Sequence, residues 1–473
     1  MFTSIGPSES IRNKKTEFEI RYLDSQLMAS APIESSAVHS TEKSGKSYVF
    51  AFSLVASLFF LWGIANTLNG TLIKHFQTAL NLSLFQAGII DSAFYIGYFV
   101  MALPAALIIN KFGYKRSIIV GLLLFSFGAA LFYPAAEVRV YAFFLGALFI
   151  IACGLAFLET AANPYVTILG DPAGAEKRIN FAQSFNGLST IVAPVIGSLF
   201  IFSSTEHTNE MLNALPPEQA LQIRIEEAHS VHLPYLALSG VVLFVAIMFS
   251  LVKMPEPLSK TMVSMKGIFR HKHLVWGFIT QFFYVGAQTA IFGYFVNFKL
   301  FYARDEHFSL AVKYGEFMQD IAGVVSQMTP SQIAGYHASF GFMLFMLGRF
   351  IGTWLLTKFR ANSLLAIYAI CSMALLAIAF VSSGLVAVLA IMLIYFFMSI
   401  MFPTIFSLSI KNLGNQINLG GSFVIMAIIG GGVLPPLTGL VSQTGMRNAL
   451  LVPFVGFLFV LYFGWRGYKV KPS

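Results

Sequence analysis

The sequence predicts an all-α membrane protein of twelve transmembrane helices, folded as two pseudo-symmetric six-helix bundles. Three observations carry that prediction. Of the 473 residues, 57% are hydrophobic and 11% charged, whereas soluble domains run about 45–50% apolar and about 25% charged. Apolar segments of the length that crosses hydrocarbon, about 20 residues, recur twelve times. The first half of the chain is echoed in the second.

The twelve segments are read at 48–73, 84–109, 114–134, 140–168, 179–203 and 233–252, then at 273–297, 334–356, 362–381, 385–408, 421–442 and 448–465. Each must be helical, because hydrocarbon offers no partner to an open backbone amide. The echo lies at equivalent places in a six-plus-six scheme. "INKFGYKRS" (109–117) answers "LTKFRANS" (356–363), "NPYVTIL" (163–169) answers "FPTIFSL" (402–408), and "APVIG" (193–197) answers "PPLTG" (435–439). An internal duplication accounts for all three.

The basic residues report topology. The net charge is +9, but no patch of Lys and Arg forms, so nucleic acid is not an expected partner. With the amino terminus inside, 22 of the 30 basic residues fall on the inner side and 7 on the outer side, with Arg349 within a span. The positive-inside rule then places both termini on the cytoplasmic side of the membrane. Residues 1–46 are polar and read as a disordered cytoplasmic tail, with Met28 as an alternative start. Residues 47–253 form the first bundle, 254–272 a basic cytoplasmic linker, 273–466 the second bundle and 467–473 a short tail.

Cys153 and Cys371 lie in apolar runs without ligand spacing, so they read as buried inert thiols. His271 and His273 read as part of a solvated basic linker. No nucleophile triad, metal-ligand spacing or glycine-rich phosphate loop argues for an enzyme.

Ionisable groups inside a membrane are costly and mark function. Of 21 acidic residues, Asp91 and Glu159 alone fall within the predicted spans. Amides cluster at spacings that share a helix face: Asn66 and Asn69 on the first span, Glu159 with Asn163 on the fourth, Asn180, Gln183 and Asn186 on the fifth, and Gln281, Tyr284 and Gln288 on the seventh. Four helices presenting amides inward make a pocket rich in donors and acceptors with almost no net charge. Such a pocket suits a neutral polyol, whose hydroxyls both donate and accept. Trp62, Phe94, Tyr95 and Tyr98 offer faces for a sugar ring, while the competing reading is that the amides glue helices together. A carboxyl group in such a pocket is disfavoured as its anion by desolvation, so Glu159 is placed to bind and release a proton as the pocket alternates between sides. Pro164, one turn on, loosens that helix. The equivalent position in the second half is Met398, so proton coupling belongs to the first half.

Several stretches resemble the fucose permease group of the major facilitator superfamily. They are "FFLWGIANTLNGTLIKHF" (59–76), "QAGIIDSAFYIGYF" (86–99), "GLAFLETAANPYVTILG" (154–170), "NFAQSFNGL" (180–188), "YVGAQTA" (284–290), "GRFIGTW" (348–354) and "FPTIFSLSIKNLG" (402–414). The resemblance implies the major facilitator fold and proton-coupled uptake of L-fucose or a related hexose by alternating access. It also implies that Glu159 is the family's essential glutamate and that Gln183 and Asn186 lie on the sugar. One departure stands out: the family motif carries an aspartate where this chain has Gly70, and this chain has Asp91 where the family has glutamine. The second carboxylate is read as moved from the first helix to the second, or else Gly70 opens space for a different sugar, with galactose and glucose as alternatives.

The expected substrate ligands are therefore Asn66, Asn69, Asn163, Gln183, Asn186, Gln281 and Gln288, and the expected proton carriers Glu159 and Asp91. No cofactor is expected beyond the coupling proton, with Na+ left open. The expected partners are a sugar and the lipid bilayer, around a monomer. An uncoupled facilitator and a sugar sensor are the competing functions.

Overall fold

The computed structural model describes residues 52–67, 80–82, 84–169, 171–200, 211–212, 214–254, 267–322, 328 and 330–470. Twelve long helices run through them, and we number these α1–α12. In the first half they are α1 (Phe52–Thr67), α2 (Leu84–Phe112), α3 (Tyr114–Val138), α4 (Tyr141–Ile168), α5 (Ala175–Phe200) and α6 (His232–Leu251). In the second half they are α7 (Lys272–Ala303), α8 (Pro330–Leu355), α9 (Ala361–Val381), α10 (Gly384–Ser409), α11 (Gly414–Ser442) and α12 (Asn448–Gly467). Ten of them are long and apolar enough to cross a membrane, and α1 is a shorter apolar helix. The polar fifth helix completes the expected twelve. Large apolar side chains such as Phe127, Phe244, Leu347 and Trp354 point outward, as a lipid-facing surface requires.

The first bundle is held by α4, which packs against both α2 and α3, with α6 against α3. Gly121 and Gly154 allow α3 and α4 to approach closely. A Cβ at Gly154 would stand 2.6 Å from the Gly121 carbonyl oxygen, and one at Gly121 would stand 2.9 Å from that of Gly154. Small residues at such crossings let backbones touch where no hydrophobic force drives helices together. In the second bundle α7 takes the central place, against α10, α11 and α12. The halves meet through α2 with α11 and α5 with α8, a repeated pairing consistent with the pseudo-symmetry.

Three local features depart from the sequence reading. The span expected at 385–408 is broken after Met398 and resumes at Met401. Pro403 supplies the cause, since it has no N–H to continue the ladder. The polar stretches 217–230 and 309–322, expected as loops, are helices. His273 is 1% exposed, and its Nε2 hydrogen-bonds the Lys411 carbonyl at 2.9 Å. It anchors the start of α7 instead of lying in a solvated linker.

One end of the helix assembly is closed across the halves. Asn418 on α11 is the joint: its Oδ1 accepts from the Tyr114 hydroxyl at 2.6 Å and its Nδ2 donates to Asn110 Oδ1 at 2.7 Å. Beside it, Asn180 on α5 donates to Thr404 Oγ1 on α10 at 3.3 Å, and exposed Lys411 pairs with Glu176 at 3.5 Å. Arg178 caps the carboxyl end of α4 by donating to the carbonyls of Val166, Thr167 and Asp171. A cation there complements the helix dipole.

Candidate functional site: a polar cavity between the bundles

Above the closed end lies a cavity of about 1020 Å³, walled by both halves. Its deep wall holds Glu159, Gln183, Arg349 and Phe402. Its far rim, toward the opposite end of the helices, holds Thr67, Thr190, Val296, Gly335 and Pro436. The cavity therefore runs toward the end where no inter-half hydrogen bond occurs among the described residues.

Glu159 sits on α4 and is 5% exposed. The Tyr98 hydroxyl, on α2, donates to Glu159 Oε1 at 3.0 Å, and Oε2 has no partner among the described residues. Asn66 on α1 hydrogen-bonds the same tyrosine. A chain of amide, phenol and carboxyl thus crosses three helices of the first half. Trp62, Phe94 and Tyr95 line the wall beside it, in agreement with their expected placement.

Gln183 and Asn186 on α5 both reach the cavity, and so does Gln288 on α7. Asn186 Nδ2 also donates to the Phe59 carbonyl at 3.3 Å. Its position depends on Gly63, because a Cβ there would contact Ser189 Oγ and lie 2.7 Å from Asn186 Nδ2.

Asn163 and Gln281 are placed differently from the expectation. Both are fully buried and neither lines the cavity. Asn163 instead accepts from Gln183 Nε2 at 3.3 Å, which orients that amide. Gln281 lies nearly two turns deeper on α7 than Gln288, and both polar atoms of its amide lack partners among the described residues. Tyr284 turns away as well, donating to the Met398 carbonyl at 2.7 Å where α10 is broken. Asn180 belongs to the closed end. Asn69 and Gly70 lie outside the described residues, as does the side chain of Asp91, whose backbone is helical.

Arg349 is the residue that spacing missed. The sequence places it only within a span, yet it is 4% exposed and forms part of the cavity wall. Its Nη1 donates to both the Gln183 backbone carbonyl and Gln183 Oε1, the latter at 3.1 Å. The guanidinium lies over the Phe345 ring at 4.7 Å, and Nε has no partner among the described residues. A guanidinium carries five donors in a fixed fork, so this one fastens α8 to α5 and still has a donor to offer. The usable signal was Arg349 itself, a charge within a predicted span.

The wall thus offers amides, hydroxyls and aromatic faces around one carboxyl and one guanidinium. Residues 54–422 match the profile of the Major Facilitator Superfamily. The chain is 40% identical to the L-fucose-proton symporter of Escherichia coli K12, over 92% of this chain and 98% of that protein. It is 35% identical to a glucose/galactose transporter of Brucella abortus, over 93% and 100%. Its structure is similar to that of a major facilitator transporter, FucP, crystallised in the outward conformation, with a TM-score of 0.78 and 39% identity over 90% of this chain and 100% of that one. The chain belongs to the major facilitator superfamily, within its fucose permease family.

Proposed function

We propose that the protein is a proton-coupled symporter importing a neutral monosaccharide, L-fucose or a related hexose, by alternating access. The observation that carries this reading is Glu159, a buried carboxyl group on the wall of a cavity whose other polar groups are mostly neutral amides and hydroxyls. Relatives named as a fucose-proton symporter and as a glucose/galactose transporter support it. Sugar enters at the open end and sits against Asn66, Gln183, Asn186 and Gln288, with the aromatic wall at its apolar face. A bare buried carboxylate is costly, so Glu159 carries a proton through the closed intermediate and gives it up on the far side. One charge crossing 100 mV supplies about 2.3 kcal/mol, enough for roughly 50-fold accumulation.

In this scheme the closed end faces the cytoplasm, where the excess of basic residues places both termini. Asp91 serves as the second carboxylate, displaced from the first helix to the second; normal coupled uptake by Asp91→Asn would remove it from the scheme. The protein works as a monomer without a cofactor.

The deciding experiment adds candidate hexoses to de-energised cells or proteoliposomes and follows external pH. Transient alkalinisation with the transported sugar is expected. Tracer uptake without any pH change would make the protein an uncoupled facilitator.

A further inference from the structure

The cluster used here lies outside the cavity, at the end of the first bundle away from the Asn418 joint. Since α3 begins at that joint with Tyr114, its last turn reaches the opposite end, and there it carries Glu137. The loop helix 217–230 ends with His229 in its final turn, and α6 begins with His232. Residues three apart share a helix face. The two imidazoles accordingly stack, 4.7 Å apart and 24° from parallel. Both present Nε2 to the same carboxylate, one to each oxygen: His229 to Oε2 at 3.9 Å and His232 to Oε1 at 4.0 Å.

His232 is the telling member. Its ring stacks on Tyr133 and hydrogen-bonds the Tyr133 backbone, while its Nε2 is buried with no hydrogen-bond partner. The bonded nitrogen is therefore Nδ1. A neutral imidazole whose Nδ1–H donates to a carbonyl directs a bare lone pair from Nε2. Here that lone pair faces a carboxylate, an arrangement that becomes favourable when a metal ion, or a second ring proton, lies between them. Metal-ligating histidines are typically held in this way, the second ring nitrogen fixed by a backbone carbonyl.

We propose that Glu137, His229 and His232 form a binding site for one divalent late transition metal ion of the Zn2+ type. Two imidazoles and a carboxylate are a borderline donor set that suits Zn2+ over Ca2+ or Mg2+, whose ligands are oxygens. The three donor atoms lie within 4.8 Å of one another. Two ligands on a tetrahedral Zn2+ stand about 3.3 Å apart, so the donor atoms close by up to about 1.5 Å, a movement the exposed Glu137 and His229 side chains can make. Water completes the coordination. The ion would tie the loop helix 217–230 to the last turn of α3, bracing the entry side of the first bundle without touching the cavity.

The test uses full-length, tag-free protein in detergent, stripped with a chelator and titrated with ZnCl2 in a calorimeter. One ion per chain at micromolar affinity is expected, with His232→Ala and Glu137→Gln each weakening it at least about 10-fold. Co2+ provides a second readout that does not depend on stability: visible absorption bands should appear in the wild type and be lost in both variants. Unchanged affinity in the variants, or no saturable binding by the wild type, overturns the site. Sugar uptake by His232→Ala is expected to match the wild type in metal-free buffer; loss of uptake with wild-type Zn2+ binding would also overturn it.

Discussion

Arg349 of the second bundle donates to both the backbone and the side-chain oxygen of Gln183 in the first. This contact joins the halves at the depth of the cavity, where substrate and gate share a residue. Hydrogen bonds from a charged donor contribute about 1.5–3 kcal/mol each. Arg349→Ala should therefore lower uptake by at least about 10-fold, and Arg349→Lys, which lacks the planar fork, should recover little of it. Initial rates across sugar concentrations would check this; wild-type rates in Arg349→Ala would remove the residue from the transport cycle.

Tyr98 and Glu159 make a second pair, at 3.0 Å. Glu159→Gln should abolish uptake driven by a pH gradient while retaining exchange of labelled for unlabelled sugar, which needs no net proton movement. Tyr98→Phe removes the hydroxyl's hydrogen bonds with both Glu159 and Asn66 and should slow coupled uptake by roughly 10-fold. Uphill accumulation by Glu159→Gln proteoliposomes would end the proposed role of that carboxyl group.

Gly63 allows α1 to lie against α5. A Cβ there meets Asn186 at 2.7 and 3.0 Å, and overpacking of this kind costs about 1–3 kcal/mol. Gly63→Ala should weaken sugar binding measured by calorimetry, because Asn186 must shift. Gly146→Ala is the control: a Cβ at Gly146 meets nothing within 4 Å, and the variant should bind as the wild type does.

The closed end can be locked covalently. Asn110 and Asn418 side-chain tips already meet at 2.7 Å, so a paired Asn110→Cys and Asn418→Cys variant should be bridged by a short bis-methanethiosulfonate reagent, which spans more than a direct disulfide. Uptake should fall to background and return on adding a reductant. Full activity in the cross-linked protein would show that this end need not open.

Helix existence was legible because hydrocarbon imposes both length and conformation. The span read at 362–381 is observed as Ala361–Val381, and that read at 140–168 as Tyr141–Ile168. The loop helices 217–230 and 309–322 were missed because a span search weighs apolar length, and theirs is short. At the site, the 3.6-residue period gives the direction a side chain faces and says nothing of its depth. Asn180, Gln183 and Asn186 do share a face of α5, yet Asn180 falls at the closed end and the other two at the cavity. Gln281 fails for the same reason on α7. Arg349 could not be placed at all, because its partner lies 166 residues away.

Asn418, bonded to both Asn110 and Tyr114, fastens the floor of the cavity with uncharged dipoles. Such contacts are worth about 1 kcal/mol each, so a few of them bias two conformations by no more than about 100-fold. A trap that shallow imposes no direction of its own. The transporter would then be a reversible machine, ruled by whichever gradient is steeper, and a starved, de-energised cell would leak its stored sugar back through the same molecule that gathered it.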